Sequence, residues 1–242
     1  MSSTLVIFIA DEPFYVSKKS FDYIGAYKHE KESDEGNEKS CKQLVTKIDD
    51  CEVDFCIIDF TRQFEKEYSD AFTIINSNTK NVFSDINKLL HESSHDFYCI
   101  IPSSFFPEYN FLLDLIVSYC EISNSGVIGI VSELRNVEHS YALCYEQDNK
   151  QVVMYSPIIK GLLFFSKYII EAIGYFDSSE NILGCEMEQY CMRSHLLGYN
   201  NYYVDNSVAL YPKMKIYEYA KLNESINKMK EAKNFYVHLS TD

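Results

Sequence analysis

Short apolar runs alternate with longer amphipathic stretches through the first half of the chain. Runs of strand length occupy residues 4–9, 53–59, 71–75 and 97–101. Apolar side chains recur at helical spacing over 82–90, and residues 109–120 form an apolar stretch of helix length. Strands that alternate with helices in this way predict parallel β-α-β units, and therefore an α/β fold.

The second half of the chain adds antiparallel character. Two strand-like runs at 141–147 and 151–156 flank a turn at 148–150, which predicts a hairpin. Further strands are predicted over 127–131 and 161–165. Two more helices are predicted over 168–173 and 185–197, the second closed by Gly198. The predicted sheet is therefore mixed and mostly parallel, with helices on both faces.

Polar segments interrupt this pattern near the start and at the end of the chain. The charge-dense stretch 28–39 predicts a mobile loop, and 41–48 predicts a short helix. A polar helix is predicted from about 215 to 233. Because no internal repeat, linker or second apolar core is present, we expect one domain at 1–212 and a helical extension at 213–242.

Composition and charge exclude several kinds of partner. Of the 242 residues, 46% are apolar, and the net charge is −14. This acidity disfavours a nucleic-acid backbone or an anionic membrane surface as a partner, since both bind Lys and Arg. No run reaches the eighteen or so apolar residues of a membrane span, and no basic leader precedes the first strand. We therefore expect a soluble cytoplasmic protein without a membrane span.

The eight cysteines and six histidines show no metal-binding pattern. There is no C-x-x-C pair and no cysteine–histidine cluster with zinc spacing. Five of the cysteines lie inside apolar runs, where Cys acts as a small hydrophobic residue. The sequence therefore predicts reduced structural thiols and no metal ligands.

Several motifs resemble, in order and spacing, those of the family 2 glycosyltransferases with a GT-A fold. Residues 161–165 (GLLFF) and 174–177 (GYFD) are similar to the stretch that leads to the family's G-x-F-D turn. Residues 186–193 (EMEQYCMR) lie over its E-D-x-D-x-x-x-R motif, followed by the G-Y at 198–199. The resemblance covers about residues 1–212 and implies a GT-A sheet that binds a nucleotide-diphosphate sugar.

The resemblance also assigns expected roles to particular residues. Asp59 ends the strand whose last acid contacts the base or ribose of the nucleotide, and Asn87 matches a family Asn. The alternative for Asp59 is a structural acid that caps the turn after its strand. Two further nucleotide-side positions are Ser103 and Ser104. Residues expected on the acceptor or phosphate side are Gly161, Gln189 and Arg193.

Three chemical positions depart from the family pattern. The metal-binding D-x-D is replaced by Pro102, Ser103 and Ser104, and neutral hydroxyls bind Mg²⁺ or Mn²⁺ poorly. The catalytic base, an Asp in the family, is Met187, which cannot accept a proton. The metal-binding His after the last strand is matched by Tyr211.

Substitutes for the missing groups are few. Glu186 is the remaining candidate base, and its alternative is an acid that favours a helix N-terminus. A basic cluster could neutralise the diphosphate in place of a metal, and its candidates are Lys160, Arg135 and Arg193.

Two functions follow from the resemblance and its departures. The first is a degenerate GT-A pseudoenzyme without a cofactor, which acts as a binding or assembly module for a protein partner or a homo-oligomer. The second is an active glycosyltransferase of the hexosyltransferase class, either metal-independent or dependent on Mg²⁺ or Mn²⁺. A nucleotidyltransferase is set aside because residues 10–14 (ADEPF) are acidic and lack the glycines of a phosphate loop.

Overall fold

The computed structural model describes residues 2–10, 17, 21, 27–30, 41–44, 47–48, 51–68, 72–77, 81–103, 111–132, 143–147, 151–178 and 186–209. The predicted extension at 213–242, the loop residues 31–39, and the side chains of Ser104, Arg135 and Tyr211 lie outside these residues. Within the described part, none of the helices has the length and apolar character needed to cross a membrane.

Twelve strands are formed by the described residues. They are β1 (Ser2–Ala10), β2 (Tyr27–Glu30), β3 (Cys41–Leu44), β4 (Lys47–Ile48), β5 (Cys51–Asp59), β6 (Thr73–Asn76), β7 (Phe97–Pro102), β8 (Ser125–Ser132), β9 (Leu143–Gln147), β10 (Gln151–Tyr155), β11 (Leu163–Ser166) and β12 (Asn200–Ala209). The helices are α1 (Phe64–Tyr68), α2 (Val82–Glu92), α3 (Phe111–Glu121), α4 (Lys167–Ile173) and α5 (Glu186–Leu196).

The main sheet has seven central strands in the order β6-β5-β1-β7-β11-β8-β12 among the described residues. Strands β6, β5, β1 and β7 pair in parallel, and β8 pairs with β12 in parallel. Strand β11 is antiparallel to both β7 and β8, so it alone runs against the other six. The β9–β10 hairpin extends the sheet beyond β12, and β4 pairs with β5. The mixed, mostly parallel sheet predicted from the sequence is confirmed.

Alternate residues of the central strand β1 pack into two apolar layers. Val6 and Phe8 face a layer completed by α1 and α3, while Leu5, Ile7 and Ile9 face one completed by α2, α4 and α5. A parallel strand covered on both faces needs apolar residues at every position, which explains the uninterrupted run in β1. The prediction of helices on both faces is therefore confirmed.

The segment between β1 and β5 differs from its prediction. The helix predicted over 41–48 is wrong, because β3 pairs with β2 in an antiparallel ribbon and β4 pairs with β5. The predicted loop 28–39 is also wrong over 28–30, which lie in β2. An isolated helix of eight residues has only marginal stability. The hydrogen bonds that these residues make to β2 and β5 therefore outweigh their local preference for a helix. The hairpin is confirmed, with Gln151 opposite Gln147.

Candidate functional site

The carboxyl ends of the parallel strands bring several predicted site residues to one edge of the sheet. In the strand register Ala10 lies beside Asp59, and Ile9 lies beside Pro102. Ser103 continues this ladder, with its backbone N donating to Ile9 O at 2.9 Å. From β1 the chain adds β5 on one side of this strand and later β7 on its other side. In open α/β sheets, ligands bind beyond the carboxyl ends of the strands at such a switch in strand order. We call this edge the carboxyl edge.

Asp59 is fully buried at the carboxyl edge and accepts three hydrogen bonds. Its Oδ1 accepts from the N and Oγ1 of Thr61 at 2.8 and 2.6 Å, and its Oδ2 accepts from Phe64 N at 2.9 Å. The carboxylate therefore fixes the turn after β5 and binds the first N–H of α1, as an N-terminal acid does. This geometry favours the structural role, and a nucleotide contact by Asp59 stays a prediction.

Ser103 is fully buried after β7, and the predicted Gly161 lies two residues before β11. Because β11 is antiparallel to β7 and Leu163 lies opposite Ile100, β11 begins at the edge of the sheet where β7 ends. The residue after Gly161 passes close to β8, where a Cβ added at Gly129 would lie 3.0 Å from Leu162 O. Tyr203 Oη accepts from Lys160 N at 2.9 Å and holds the same segment. Ser103 and Gly161 therefore share the carboxyl edge with Asp59.

Helix α5 begins with Glu186, whose side chain is 3% exposed. The next residue, Met187, is half-buried and packs against the layer of α2, α4 and α5. One turn on, Gln189 Oε1 is buried and has no hydrogen-bond partner among the described residues. The helix therefore has an acid in its first turn, while Met187 packs against the core. The catalytic role of Glu186 and the acceptor role of Gln189 stay predictions.

Asn87 lies on α2 and binds the backbone of a distant residue at two points. Its Nδ2 donates to Phe176 O at 2.7 Å, and its Oδ1 accepts from Phe176 N at 3.0 Å. Asn81, which caps α2 by accepting from Phe83 N at 3.0 Å, also donates to Ser178 O at 2.8 Å. Both amides thus hold the G-x-F-D segment (residues 174–177) and the residue after it against α2. A nucleotide contact by Asn87 stays a prediction that would compete with these bonds.

Arg193 binds the other side of the same segment. Its Nη1 donates to Ile173 O at 2.6 Å and its Nη2 to Tyr175 O at 2.5 Å. Its guanidinium also lies 5.3 Å from the ring centroid of Tyr190. Gly174 lies between the two carbonyls with a φ of +78°, a conformation that residues with a Cβ adopt at a cost. The geometry favours a role for Arg193 in fixing this turn, and its phosphate role stays a prediction.

The described residues do not provide a ligand set for the Mg²⁺ or Mn²⁺ that the resemblance implies. No group of three or more His, Cys, Asp or Glu side chains among them could hold a metal ion. At the carboxyl edge Ser103 offers a neutral hydroxyl, and the carboxylate of Asp59 is already bound to Thr61 and Phe64. No chemical step is therefore assigned to a metal.

The sequence assigned no holding role to Asn81 or to the ring of Phe176, which lies within the G-x-F-D segment itself. Asn81 precedes the apolar repeat of α2, and Asn at such a position is a recognisable N-cap signal. Phe176 stacks on Tyr190 with ring centroids 4.0 Å apart and contacts Phe83 at 5.1 Å. No local pattern marks these aromatic pairs, because each joins two separate elements, and Phe83 and Phe176 are about 90 residues apart in the chain.

Comparisons with known proteins give structural matches and no sequence matches. No family model and no curated protein sequence matches the chain. A mannosyltransferase from Pyrobaculum calidifontis, solved with GDP-Man and Mn²⁺, is 13% identical with a TM-score of 0.59 over 90% of this chain. TarS of S. aureus (residues 1–349) is 11% identical with a TM-score of 0.51 over 86% of it. GalNAc-T7 solved with UDP, GalNAc and Mn²⁺ is 10% identical with a TM-score of 0.56 over 89%.

These structures establish the fold, which is that of the GT-A glycosyltransferases. Identities of 10–13% show the architecture alone. The matches span 59%, 59% and 44% of the chains of the mannosyltransferase, TarS and GalNAc-T7. The assignment to family 2 and the roles of the individual site residues stay predictions.

Proposed function

We propose that this chain is a degenerate GT-A domain that works as a non-catalytic binding or assembly module. The observation that carries the proposal is the chemistry of the carboxyl edge. Pro102 and Ser103 stand where the fold's metal-binding acids are expected, and Met187 packs into the core at the base position. Without a cation the diphosphate leaving group is not stabilised, and without a base the acceptor hydroxyl keeps its proton.

The hydrogen bonds of the retained residues support the same proposal. Asp59, Asn87 and Arg193 each bind backbone groups of this chain. These bonds give the three residues a structural role that does not require a bound substrate. A domain that keeps its architecture while its reactive positions change is suited to present a surface, and the net charge of −14 favours a protein partner with a basic face.

An active glycosyltransferase is the second candidate, and the position of Glu186 favours it. A carboxylate that is 3% exposed in the first turn of a helix, on the motif where the family keeps its acids, is a candidate base. In this alternative the reaction proceeds without a bound metal or with ligands from outside the described residues.

A binding and turnover assay tests the proposal. Purified protein is screened by thermal shift with UDP-, GDP- and dTDP-sugars, with and without Mn²⁺, and the release of nucleoside diphosphate is measured. A ligand at a hundred times its dissociation constant stabilises by about 2.7 kcal/mol. The non-catalytic module gives no nucleotide release with any donor.

Two matched variants separate the candidates. Glu186→Gln removes the candidate base without changing the side-chain size, and Glu188→Gln removes an equal charge from the same first turn of α5. Nucleotide release that is abolished by Glu186→Gln and retained in Glu188→Gln would contradict the non-catalytic proposal. If a nucleotide sugar raises the melting temperature but neither variant releases nucleoside diphosphate, the domain is a nucleotide-sugar binder. Sedimentation velocity then tests whether the chain self-associates.

A further inference from the structure

A cavity of about 490 Å³ lies beside β5, between β5, β6 and the end of α2. It is lined by Leu5, Val53, Asp54, Phe55, Cys56, Phe72, Thr73, Leu89, Glu92, Ser93, Ser94 and His95. It involves the first residue of β6 and the last residues of α2, so it is separate from Asp59, Ser103 and Gly161 at the carboxyl edge. Its volume is in the range of small-molecule sites, about 300–1,000 Å³.

The electrostatics of this cavity favour a positive charge. Asp54 and Glu92 contribute carboxylates, and no lysine or arginine is among the described residues that line it. Helix α2 ends at Glu92, so its last carbonyl groups carry a partial negative charge at the same place. The Asp54 side chain is 74% exposed and therefore reaches the mouth of the cavity.

A hydrogen-bonded chain fixes the polar wall. His95 Nε2 lies 2.9 Å from Asp54 Oδ2, and His95 Nδ1 lies 3.3 Å from Ser93 Oγ. Ser93 Oγ donates to Tyr98 Oη at 3.0 Å. Asp, His and Ser in one chain also occur in hydrolases. Here, however, attack by Ser93 would place the negative charge of the substrate's carbonyl oxygen beside the C-terminus of α2, where the negative end of the helix dipole disfavours it.

The apolar floor lies on the same face of β5 as Asp54 and is formed by Leu5, Cys56 and Leu89. The other apolar lining residues, Val53, Phe55 and Phe72, belong to the layer on the opposite face of the sheet. Burial raises the pKa of the Cys56 thiol to about 12, so this thiol stays neutral. We propose that the cavity binds a small organic cation, a primary ammonium or guanidinium on a short apolar body. The positive charge of the ligand pairs with the carboxylates of Asp54 and Glu92, while its apolar body packs on the apolar floor.

Binding of phenethylammonium to the full chain tests the proposal, with 2-phenylethanol as the neutral analogue of the same shape. Chemical-shift changes in ¹H–¹⁵N spectra at 150 mM salt give the affinity and the location. We expect saturable binding of the cation with shifts at residues 53–56 and 89–95, and binding of the alcohol weaker by about tenfold. Asp54→Asn should lower the affinity for the cation by about tenfold, since it removes a charge-assisted hydrogen bond.

Two further variants make the test decisive. Thr73→Trp adds bulk at an exposed residue of the lining, so it should abolish binding without changing the charge. Glu171→Gln removes an exposed acid on α4 outside the cavity and should leave the affinity unchanged. If the overall negative charge alone attracted the cation, the chemical-shift changes would not saturate and would be equal in all three variants. That result, or equal affinity for the alcohol, would overturn the proposal.

Discussion

Asn87 hydrogen-bonds to both the N–H and the C=O of Phe176, 89 residues further along the chain, as a neighbouring β-strand would. Arg193 binds the carbonyls of Ile173 and Tyr175 on the other side of the same turn. The G-x-F-D segment is therefore held between α2 and α5 by side chains that the family resemblance would assign to ligand binding. Four predictions follow from these bonds and from the core.

Replacing Asn87 should destabilise the protein. Asn87→Ala removes two half-buried hydrogen bonds and leaves the backbone of Phe176 without them, at a cost of about 2 kcal/mol. Urea unfolding followed by circular dichroism measures the free energy of unfolding. The control is Lys88→Ala, an exposed neighbour on the same helix, which should change it by less than about 0.5 kcal/mol. Equal stability of the two variants would show that the pairing with Phe176 contributes nothing.

Arg193→Lys should also destabilise the protein, although the charge is retained. A lysine ammonium cannot reproduce the fork that donates from Nη1 and Nη2 to two carbonyls, so we expect a loss of about 1–3 kcal/mol. Thermal unfolding without ligand is the measurement, with the exposed His195→Ala as control. If Arg193 serves a phosphate instead, Arg193→Lys will leave the melting temperature unchanged and weaken nucleotide binding alone.

The described cysteines should differ sharply in reactivity. Cys120 is exposed, whereas Cys51, Cys56, Cys99 and Cys191 are buried. With a pKa of about 12 in Cys56 and Cys191, only about one thiol in ten thousand is ionised at pH 8.

Peptide mapping after iodoacetamide treatment at pH 8 checks this difference. Of these five cysteines we expect Cys120 alone to be alkylated in the native protein, and all five in guanidinium. Early alkylation of Cys56 would mean that its strand opens readily.

Stability should fall as the pH rises above about 9. Burial raises the pKa of Cys56 and Cys191 from 9.0 to about 12, and it also raises the pKa of Tyr119, Tyr190 and Tyr202. The unfolded chain loses these protons first, so their contribution is complete below the unfolded pKa values and is lost as the pH rises towards the folded ones. We expect the free energy of unfolding to drop by about 2 kcal/mol for each of Cys56 and Cys191 between pH 8 and 10.5, and the buried tyrosines add to this drop.

Urea unfolding at the two pH values measures the drop. Absorbance at 295 nm should show that buried tyrosines ionise together with unfolding. An unchanged midpoint, with tyrosines that titrate gradually in the folded protein, would contradict the expectation.

Local pattern was enough to predict most of the sheet and the helices. The runs at 4–9, 53–59 and 97–101 became β1, β5 and β7, because a strand buried on both faces must be apolar throughout. The hairpin of β9 and β10 and the helices α2, α3 and α5 were predicted within about two residues. Helix α1 was missed, since it has five residues and begins on the carboxylate of Asp59.

The sequence by itself predicted the GT-A class of fold and determined the net charge of −14, and the loss of family acids at residues 102–104 and at Met187 stays a prediction. These depend on residue identity and on spacing along the chain. The tertiary structure decided which groups the polar side chains of the site meet. Asn87 reaches Phe176, and Arg193 reaches Ile173, only because α2 and α5 pack on the same face of the sheet. Contacts between elements so far apart in the chain leave no periodic signal, so side chains that resemble ligand-binding residues in sequence can be the supports of a turn.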